Sequence, residues 1–427
     1  MSKILFVNRC FWPDSEATGL LLKDLTEDLA VDHEITVICG PANTLPSRRW
    51  PLFERENYGP VKVVRTCGMK LSKKNLARRV AGLGIYWVLA LIAALRERPD
   101  VIVTETDPPL LGLLGAAVKR IRGCRFVYHC QDVYPDIAEA THGLESRLLI
   151  AFLGWCNQIA YRKADAIVAL AGDMAARLLG KGVNADRIVV IPNWIDCRKL
   201  KPQAPSPERR FGHPGDFVVM YAGNLGWSQK LETVLHTARL MRDDLRVKFV
   251  LVGDGARKSS LEQEARVQKL DNVEFVDRQD PSAMSEVLAA GNLQLVPLTA
   301  GAAGCLVPSK LYWILAAGKP FVAMMEPEAE VARVAANFEV GFVTPPGDAA
   351  ALARTISASM EDPRLLEEMG RRARALAEQE YDRALVTHRF AKLLQAVLCL
   401  SPAHNMSHEM EAASTMAVER AATVPAK

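Results

Sequence analysis

What is missing narrows the reading first. The nine cysteines (10, 39, 67, 124, 130, 156, 197, 305 and 399) form no CxxC pair. Their odd number and wide spacing argue against a disulfide framework or a zinc site and suit reduced thiols that pack as small hydrophobes. Net charge is only +4 over 427 residues, too small and too dispersed for a nucleic-acid partner. The first loop lacks G-x-G-x-x-G: after the apolar Ile4-Leu-Phe-Val7 it runs Asn8-Arg-Cys-Phe-Trp-Pro-Asp-Ser-Glu-Ala-Thr-Gly19, which argues against a dinucleotide-dependent dehydrogenase. Because the chain opens Met1-Ser-Lys and runs straight into that stretch, no secretory leader is expected. No apolar run reaches the roughly 18–20 residues of a membrane span. The nearest, Val80 to Leu95, lies between Lys73, Lys74, Arg78, Arg79 and Arg96-Glu-Arg98. It reads either as a buried helix or as one lying on an anionic membrane face.

With 49% hydrophobic and 24% charged residues, the length suits two or three packed domains. Strand-like runs alternate with helix-length segments throughout, the pattern of parallel sheets built from βα units. The runs are 4–8, 34–39, 61–65, 101–104, 125–129, 166–170 and 188–191, then 217–221, 248–252, 273–276, 293–297, 321–324 and 341–344. Helices are expected between them, the last over 383–398. Four prolines between Pro192 and Pro207 read as a linker. The expected organisation is a nucleotide-fold domain over 1–195, a second over 196–382, a helix over 383–400 crossing back to the first, and a disordered tail over 401–427.

Three glycine-bearing strand-to-helix turns carry the most information. Tyr221-Ala-Gly-Asn-Leu-Gly226 and Val252-Gly-Asp-Gly255 each end an apolar run. Pro308-Ser-Lys-Leu-Tyr312 opens a helix that closes at Ala316-Ala-Gly-Lys-Pro320. Backbone N–H groups and helix N-termini at the carboxyl edge of a parallel sheet hold diphosphates readily, which suggests a nucleotide-activated substrate.

Together with Pro13 and Gly19, Asp132-Val-Tyr-Pro135, Arg162-Lys-Ala-Asp165, Ile191-Pro-Asn-Trp-Ile-Asp196 and Gly341 to Asp348, these turns make the chain resemble glycosyltransferase family 4, over about residues 3–398. Within it the chain is most similar to the exopolysaccharide and colanic-acid branch. The resemblance implies an α/β GT-B fold, two Rossmann-like doubly wound domains facing a central cleft. It also implies retaining transfer of a sugar from a nucleotide diphosphate donor, UDP above all, to a lipid-linked saccharide acceptor. No bound metal and no cofactor are expected, and the enzyme would work in the cytoplasm, peripherally at the inner membrane face.

Departure of a nucleoside diphosphate needs fixed donors and cations. Lys310 is the first candidate, with Ser309 as helix cap or phosphate donor and Gly301 and Gly304 for close backbone approach. In the turn after Tyr221, relatives often carry an arginine after the glycine and a lysine five residues on. Here Gly223 is followed by Asn224, and the later slot holds Gln229 with Lys230 beyond it. Lys230 is a second candidate cation, and Trp227 either lines the site or caps a helix. Many relatives also carry two glutamates eight positions apart, contacting donor sugar and ribose. The matching residues here are Cys305 and Trp313, so Trp313 stacks or packs, and Glu330 is either a substitute acid or the first-turn acid of a helix. Gly253 belongs to the second turn, and Asp254 supports it. Arg278, beyond the 273–276 run, is placed to meet base or phosphate. On the acceptor side stand Glu16 and Gly19. Asp132 either takes the acceptor hydroxyl's proton or caps a helix, and the leaving phosphate can replace it as base. His129 reads as a satisfied strand residue. Glu105-x-Asp107 has the spacing of a metal-binding pair but is expected to line an acceptor loop. The competing reading is a non-catalytic GT-B subunit that binds nucleotide or a partner transferase.

Overall fold

A computed structural model describes residues 1–400 except 15, 43–51, 68–75, 143, 205–210 and 214, and leaves the side chains of 76–79 and 142 aside. The expected disordered tail and Lys73 and Lys74 therefore lie outside the described residues. The rest forms two compact units: one draws on Met1–Pro135, Glu145–Pro192 and the segment from Ala384, the other on Asp136–Leu144 and Asn193–Arg383.

The N-terminal unit holds β1 (Lys3–Val7), β2 (Glu34–Cys39), β3 (Phe53–Tyr58), β4 (Val61–Thr66), β5 (Val101–Thr104), β6 (Arg125–Cys130), β7 (Ala166–Ala169) and β8 (Ile188–Val190). Helices α1 (Ala17–Leu29), α2 (Leu76–Glu97), α3 (Leu111–Arg122), α5 (Arg147–Lys163) and α6 (Gly172–Gly180) intervene, while the short α4 (Asp136–His142) groups with the second unit. The strand order is β3-β4-β2-β1-β5-β6-β7-β8, parallel except for β3, which pairs antiparallel with β4. Order therefore reverses at β1 and β5, the place where doubly wound sheets bind ligands.

The second unit holds β9 (Phe217–Ala222), α7 (Glu232–Leu240), β10 (Val247–Val252), α8 (Lys258–Val267), β11 (Val273–Val276), α9 (Met284–Ala289) and β12 (Leu293–Pro297). It continues through α10 (Lys310–Ala316), β13 (Phe321–Met324), α11 (Glu330–Asn337), β14 (Gly341–Thr344), α12 (Ala349–Glu361) and α13 (Pro363–Glu380). Its order β11-β10-β9-β12-β13-β14 is all parallel and reverses between β9 and β12. Both faces are covered. Val219, Tyr221, Phe249 and Leu251 enter one core, and Val218, Met220, Val250 and Val252 the other, which is why these strands read as unbroken apolar runs. The final helix α14 (Arg383–Cys399) buries Phe390 against Phe6 and His129 of the N-terminal unit.

Three local expectations change. The proline-rich stretch is no free tether over 193–200: Trp194, Ile195, Cys197 and Leu200 are buried, and Arg374 donates to the carbonyls of Cys197, Leu200 and Ala316. Strand β3, Phe-Glu-Arg-Glu-Asn-Tyr, is too polar to read as a strand, yet its edge position needs only one partner. Third, α2 is long and apolar enough by length and composition to cross a membrane, through a window of mean hydropathy 1.6 over Val80–Glu97. It buries Tyr86, Ala90, Ala93 and Ala94 and packs on α3 and the sheet, whereas Val80, Ile85, Val88 and Ile92 face outward. Among the described residues the helix is therefore covered on one face and leaves apolar side chains exposed on the other.

Candidate functional site

In the second unit the site forms where strand order reverses. The loop after β12 runs from Leu298 to Ser309 and delivers Lys310 as the first residue of α10. Its Nζ lies 3.9 Å from the centre of the Tyr221 ring at the end of β9. A Cβ on Gly223 would come within 3.3 Å of Cε and 3.4 Å of Nζ, and φ at Gly223 is +155°. The glycine is what leaves room for the lysine. Lys310 has no ion pair among the described residues, and burial pushes its amine down to about 7. A cation–π contact offsets part of that desolvation, on the order of 0.5–2 kcal/mol. A carboxylate or phosphate would offset far more. The Tyr221 hydroxyl in turn donates to the Asn224 carbonyl at 2.6 Å, which fixes the ring.

The glycine turns serve the scaffold more than was expected. The Gly223 N–H donates to Val252 O and the Gly253 N–H to Val276 O, each at 2.9 Å. Leu225 N–H is spent on Asp254 O, and Gly255 N–H on the Asp254 side chain. A Cβ on Gly253 would stand 1.9 Å from the Gly223 carbonyl oxygen, so glycine is required by backbone packing there. These amides are not available to a diphosphate. Asp254 supports its turn, as expected.

The remaining donor-side candidates spread along the same edge. Asn224 is exposed, and its side chain lies over Gly226 and Gly255. Gln229 is half-buried, with Oε1 sealed from solvent and without a hydrogen-bond partner among the described residues. Lys230 is exposed in a left-handed conformation, φ +41°. Trp227 is 52% exposed and stacks under Arg257, 4.3 Å from its centroid, rather than capping α7. Gly304 is buried with φ +69°. Ser309 makes no side-chain capping bond to α10, leaving its hydroxyl for another role. Trp313 is half-buried, three residues along α10 from Lys310 and so on the same helix face. Arg278 is exposed just past β11, and Glu330 is the first-turn acid of α11. The buried Cys305 thiol lies within the loop, 3.8 Å from Gly301 O.

Sequence reasoning missed Glu326, two residues past β13. Its Oε1 accepts the Gly301 N–H at 2.6 Å, while Oε2 is buried without a partner. An acid directly after a strand at the carboxyl edge was the available signal.

The N-terminal unit assembles a different cluster where its own order reverses. Arg9, after β1, grips Asp107, after β5, through two hydrogen bonds of 2.8 and 3.1 Å, and reaches Glu16 at 3.1 Å. Burial opposes the guanidinium's charge, but Asp107 and its neighbours outweigh it and hold Arg9 above its ordinary range. The Cys10 thiol donates to Glu16 at 2.5 Å and approaches Asp107 at 3.3 Å. Cys10, Glu16 and Asp107 are close enough together to hold a metal ion. Arg9 already occupies both carboxylates, however, and burial plus Asp107 raise the thiol away from the thiolate that metal binding needs. Glu105 turns away to His129, 3.2 Å apart and both buried, so Glu105 and Asp107 do not converge as a metal-binding pair. Gly19 packs closely on the Cys10–Phe11 backbone, where a Cβ would stand only 3.3 Å from Cys10 C and Phe11 N. Asp132 caps no helix, since α4 begins only at Asp136. Burial first, then the charges of Asp107 and Glu105, push its carboxyl up to about 7.

Comparison with known proteins follows this division. A family model described as Glycosyl transferase 4-like domain matches residues 21–194, and one described as Glycosyl transferases group 1 matches residues 216–362. The putative colanic acid biosynthesis glycosyl transferase WcaI of Escherichia coli is 27% identical over 91% of this chain and 98% of its own. The probable glycosyltransferase WbjE of Pseudomonas aeruginosa is 29% identical over 71% of this chain and 76% of its own. Among solved structures, HepE of Anabaena in complex with UDP-glucose superposes with a TM-score of 0.70 at 19% identity, covering 93% of this chain and all of that one.

Proposed function

Since the chain belongs to glycosyltransferase family 4 and to its colanic-acid-type branch, we propose that it moves a sugar, with retention, from a UDP-sugar onto a lipid-linked saccharide in polysaccharide assembly. The observation that carries this reading is Lys310: a half-buried ammonium with no ion pair among the described residues, lying against the Tyr221 ring where the strand order of a parallel sheet reverses. A diphosphate supplies the missing charge, and the same contact strengthens as the leaving group departs and its charge grows. The likeness to a structure holding UDP-glucose supports the choice of base.

Retention through front-face departure lets the leaving phosphate take the acceptor's proton. Asp132, held near neutrality, is the protein group suited to the same task. Lys310 supplies the positive charge, so transfer needs no metal. Ser309, Trp313, Asn224, Gln229, Lys230 and Arg278 are the further donor contacts this reading assigns, and Glu16 stands on the acceptor side.

Two helices support a lipid-borne acceptor. Besides the outward face of α2, helix α5 exposes Leu148 at 86%, Phe152 at 52% and Trp155 at 61%, spaced i, i+4, i+7 along one stripe. Both helices pack on α3. Such stripes suit the headgroup–acyl boundary, with Arg162 and Lys163 at the end of α5 for anionic headgroups.

The test is transfer itself. Purified protein is incubated with labelled UDP-sugars and a panel of polyprenyl-diphosphate saccharides, with and without EDTA, and the product's anomeric configuration is read by NMR. Retained configuration with EDTA-insensitive turnover is expected. Nucleotide binding without transfer across the panel would favour the non-catalytic subunit instead. In flotation with anionic vesicles, the double variant Phe152→Ser/Trp155→Ser should lose most membrane binding while keeping its affinity for UDP.

A further inference from the structure

One carboxylate in the second unit is only half used. Glu326 Oε1 accepts the Gly301 N–H at 2.6 Å, and Oε2 is buried without a hydrogen-bond partner among the described residues. Charged acceptors make the stronger hydrogen bonds, and leaving one unmade inside a protein is unfavourable. The location narrows what could satisfy it. Gly301, with φ +78°, sits in the loop that carries Lys310 to its place. Thr299 N–H ties that loop to Ser228 O, on the β9 side, at 2.8 Å, and Glu326 ties it to the β13 side. The loop itself, Thr299-Ala-Gly-Ala-Ala-Gly-Cys305, contributes no carboxylate.

A diphosphate cannot satisfy Glu326. It has acceptors only, and like charges repel. A ring hydroxyl can, because it is a neutral donor. We propose that Glu326 is a donor-specificity residue: Oε1 positions the Gly301 turn, and Oε2 accepts a hydrogen bond from a hydroxyl of the transferred sugar. This rests on the donor reading above. It assigns the two charges of the site to two parts of one ligand, Lys310 to the diphosphate and Glu326 to the sugar ring.

The experiment is calorimetric titration of the full chain with UDP and with UDP-glucose, UDP-galactose and UDP-N-acetylglucosamine. Glu326→Gln keeps an oxygen for Gly301 but turns the second acceptor into a donor. It should weaken the UDP-sugar that wild type binds best by about tenfold to a hundredfold and change UDP by less than about twofold. Glu326→Ala also releases the Gly301 turn and should weaken UDP as well. Unchanged affinity for both ligands in Glu326→Gln would overturn the proposal, leaving the side chain as a loop pin. Equal losses for UDP and UDP-sugar in Glu326→Gln would overturn it too, because no sugar contact is then singled out. If wild type bound none of these nucleotides, the donor reading itself would fall, and this inference with it.

Discussion

Each unit brings a cation to the point where its strand order reverses, and the two cations are treated oppositely. Arg9 is held by Asp107 and Glu16, its charge matched from within the chain. Lys310 lies against an aromatic face and a glycine, with no ion pair among the described residues. The loops after β1 and β5 are thus bridged by their own side chains, whereas the switch point between β9 and β12 keeps an amine with no ion pair among the described residues. An internally satisfied ion pair fixes two loops to each other; an unsatisfied cation stores binding energy for an anion. Position in the sheet alone would not have told the two apart.

Removing the unmatched cation should therefore have the largest effect. Lys310→Ala is expected to lower kcat/KM by about 10²- to 10³-fold, the loss typical of one fixed donor to a developing anion. Its melting temperature without ligand should hold or rise, because a desolvated charge is gone. Steady-state kinetics and a ligand-free melt decide it together. A variant that lost activity only by unfolding would erase the contrast with Arg9.

The next effect follows from titration. Below pH 7 the Lys310 amine is already charged, and affinity for a UDP-sugar should be level. Above 7 each binding event must take up a proton, because the diphosphate restores the amine's usual basicity. Affinity should then fall by about tenfold per pH unit, near thirtyfold by pH 8.5. A UDP-sugar suits the test since its diphosphate diester does not ionise near neutrality. Lys310→Arg should flatten the profile, because guanidinium keeps its charge throughout. A profile equally steep in that variant would move the titration to another group.

Arg9→Ala sharpens the comparison from the other side. It strands Asp107 beside Cys10 and should cost about 1–2 kcal/mol of stability, less than a fully buried pair because both partners are partly exposed. UDP affinity should not change. If it fell as far as in Lys310→Ala, the Arg9 cluster would be a ligand site after all.

Legibility in the sequence followed what each residue's position depends on. All six strands of the second unit were readable, because its inner parallel strands are covered on both faces and are mostly apolar, and the edge strands β11 and β14 keep apolar runs against them. Strand β3 was not, since its polarity reflects an edge decided by the neighbouring β4. Lys310 stood out by standing at a helix start after a glycine-bearing loop. Its isolation from acids did not, because that depends on which side chains the fold brings near. Glycine motifs were visible, but not which of their N–H groups are already bonded: the Gly223 and Gly253 amides meet carbonyls of the next strand in the sheet, which no local spacing shows. Glu326 could be singled out as an acid just past a strand, but its bond to Gly301, like the Arg9–Asp107 bridge, joins loops far apart in sequence, and no local spacing announces either partner.

The smallest effect concerns Asp132, a carboxyl of the N-terminal unit raised by burial and by the charges of Asp107 and Glu105. Its folded carboxyl titrates at about 7 against an ordinary value of 3.8, so between those values the folded chain holds a proton that the unfolded chain has released. Stability from this group must fall as pH rises from about 4 to 7 and stay level above. Asp132→Asn removes the penalty and leaves the side chain's shape. Its melting temperature should match wild type near pH 3.5 and exceed it by a few degrees at pH 8. If turnover at pH 8 also survives in that variant, the leaving phosphate suffices as base, and this raised carboxyl of the N-terminal unit is a burden of the fold rather than a tool. Lost turnover with raised stability would give it the opposite standing: a charge kept uncomfortable because the reaction uses it, as Lys310 is.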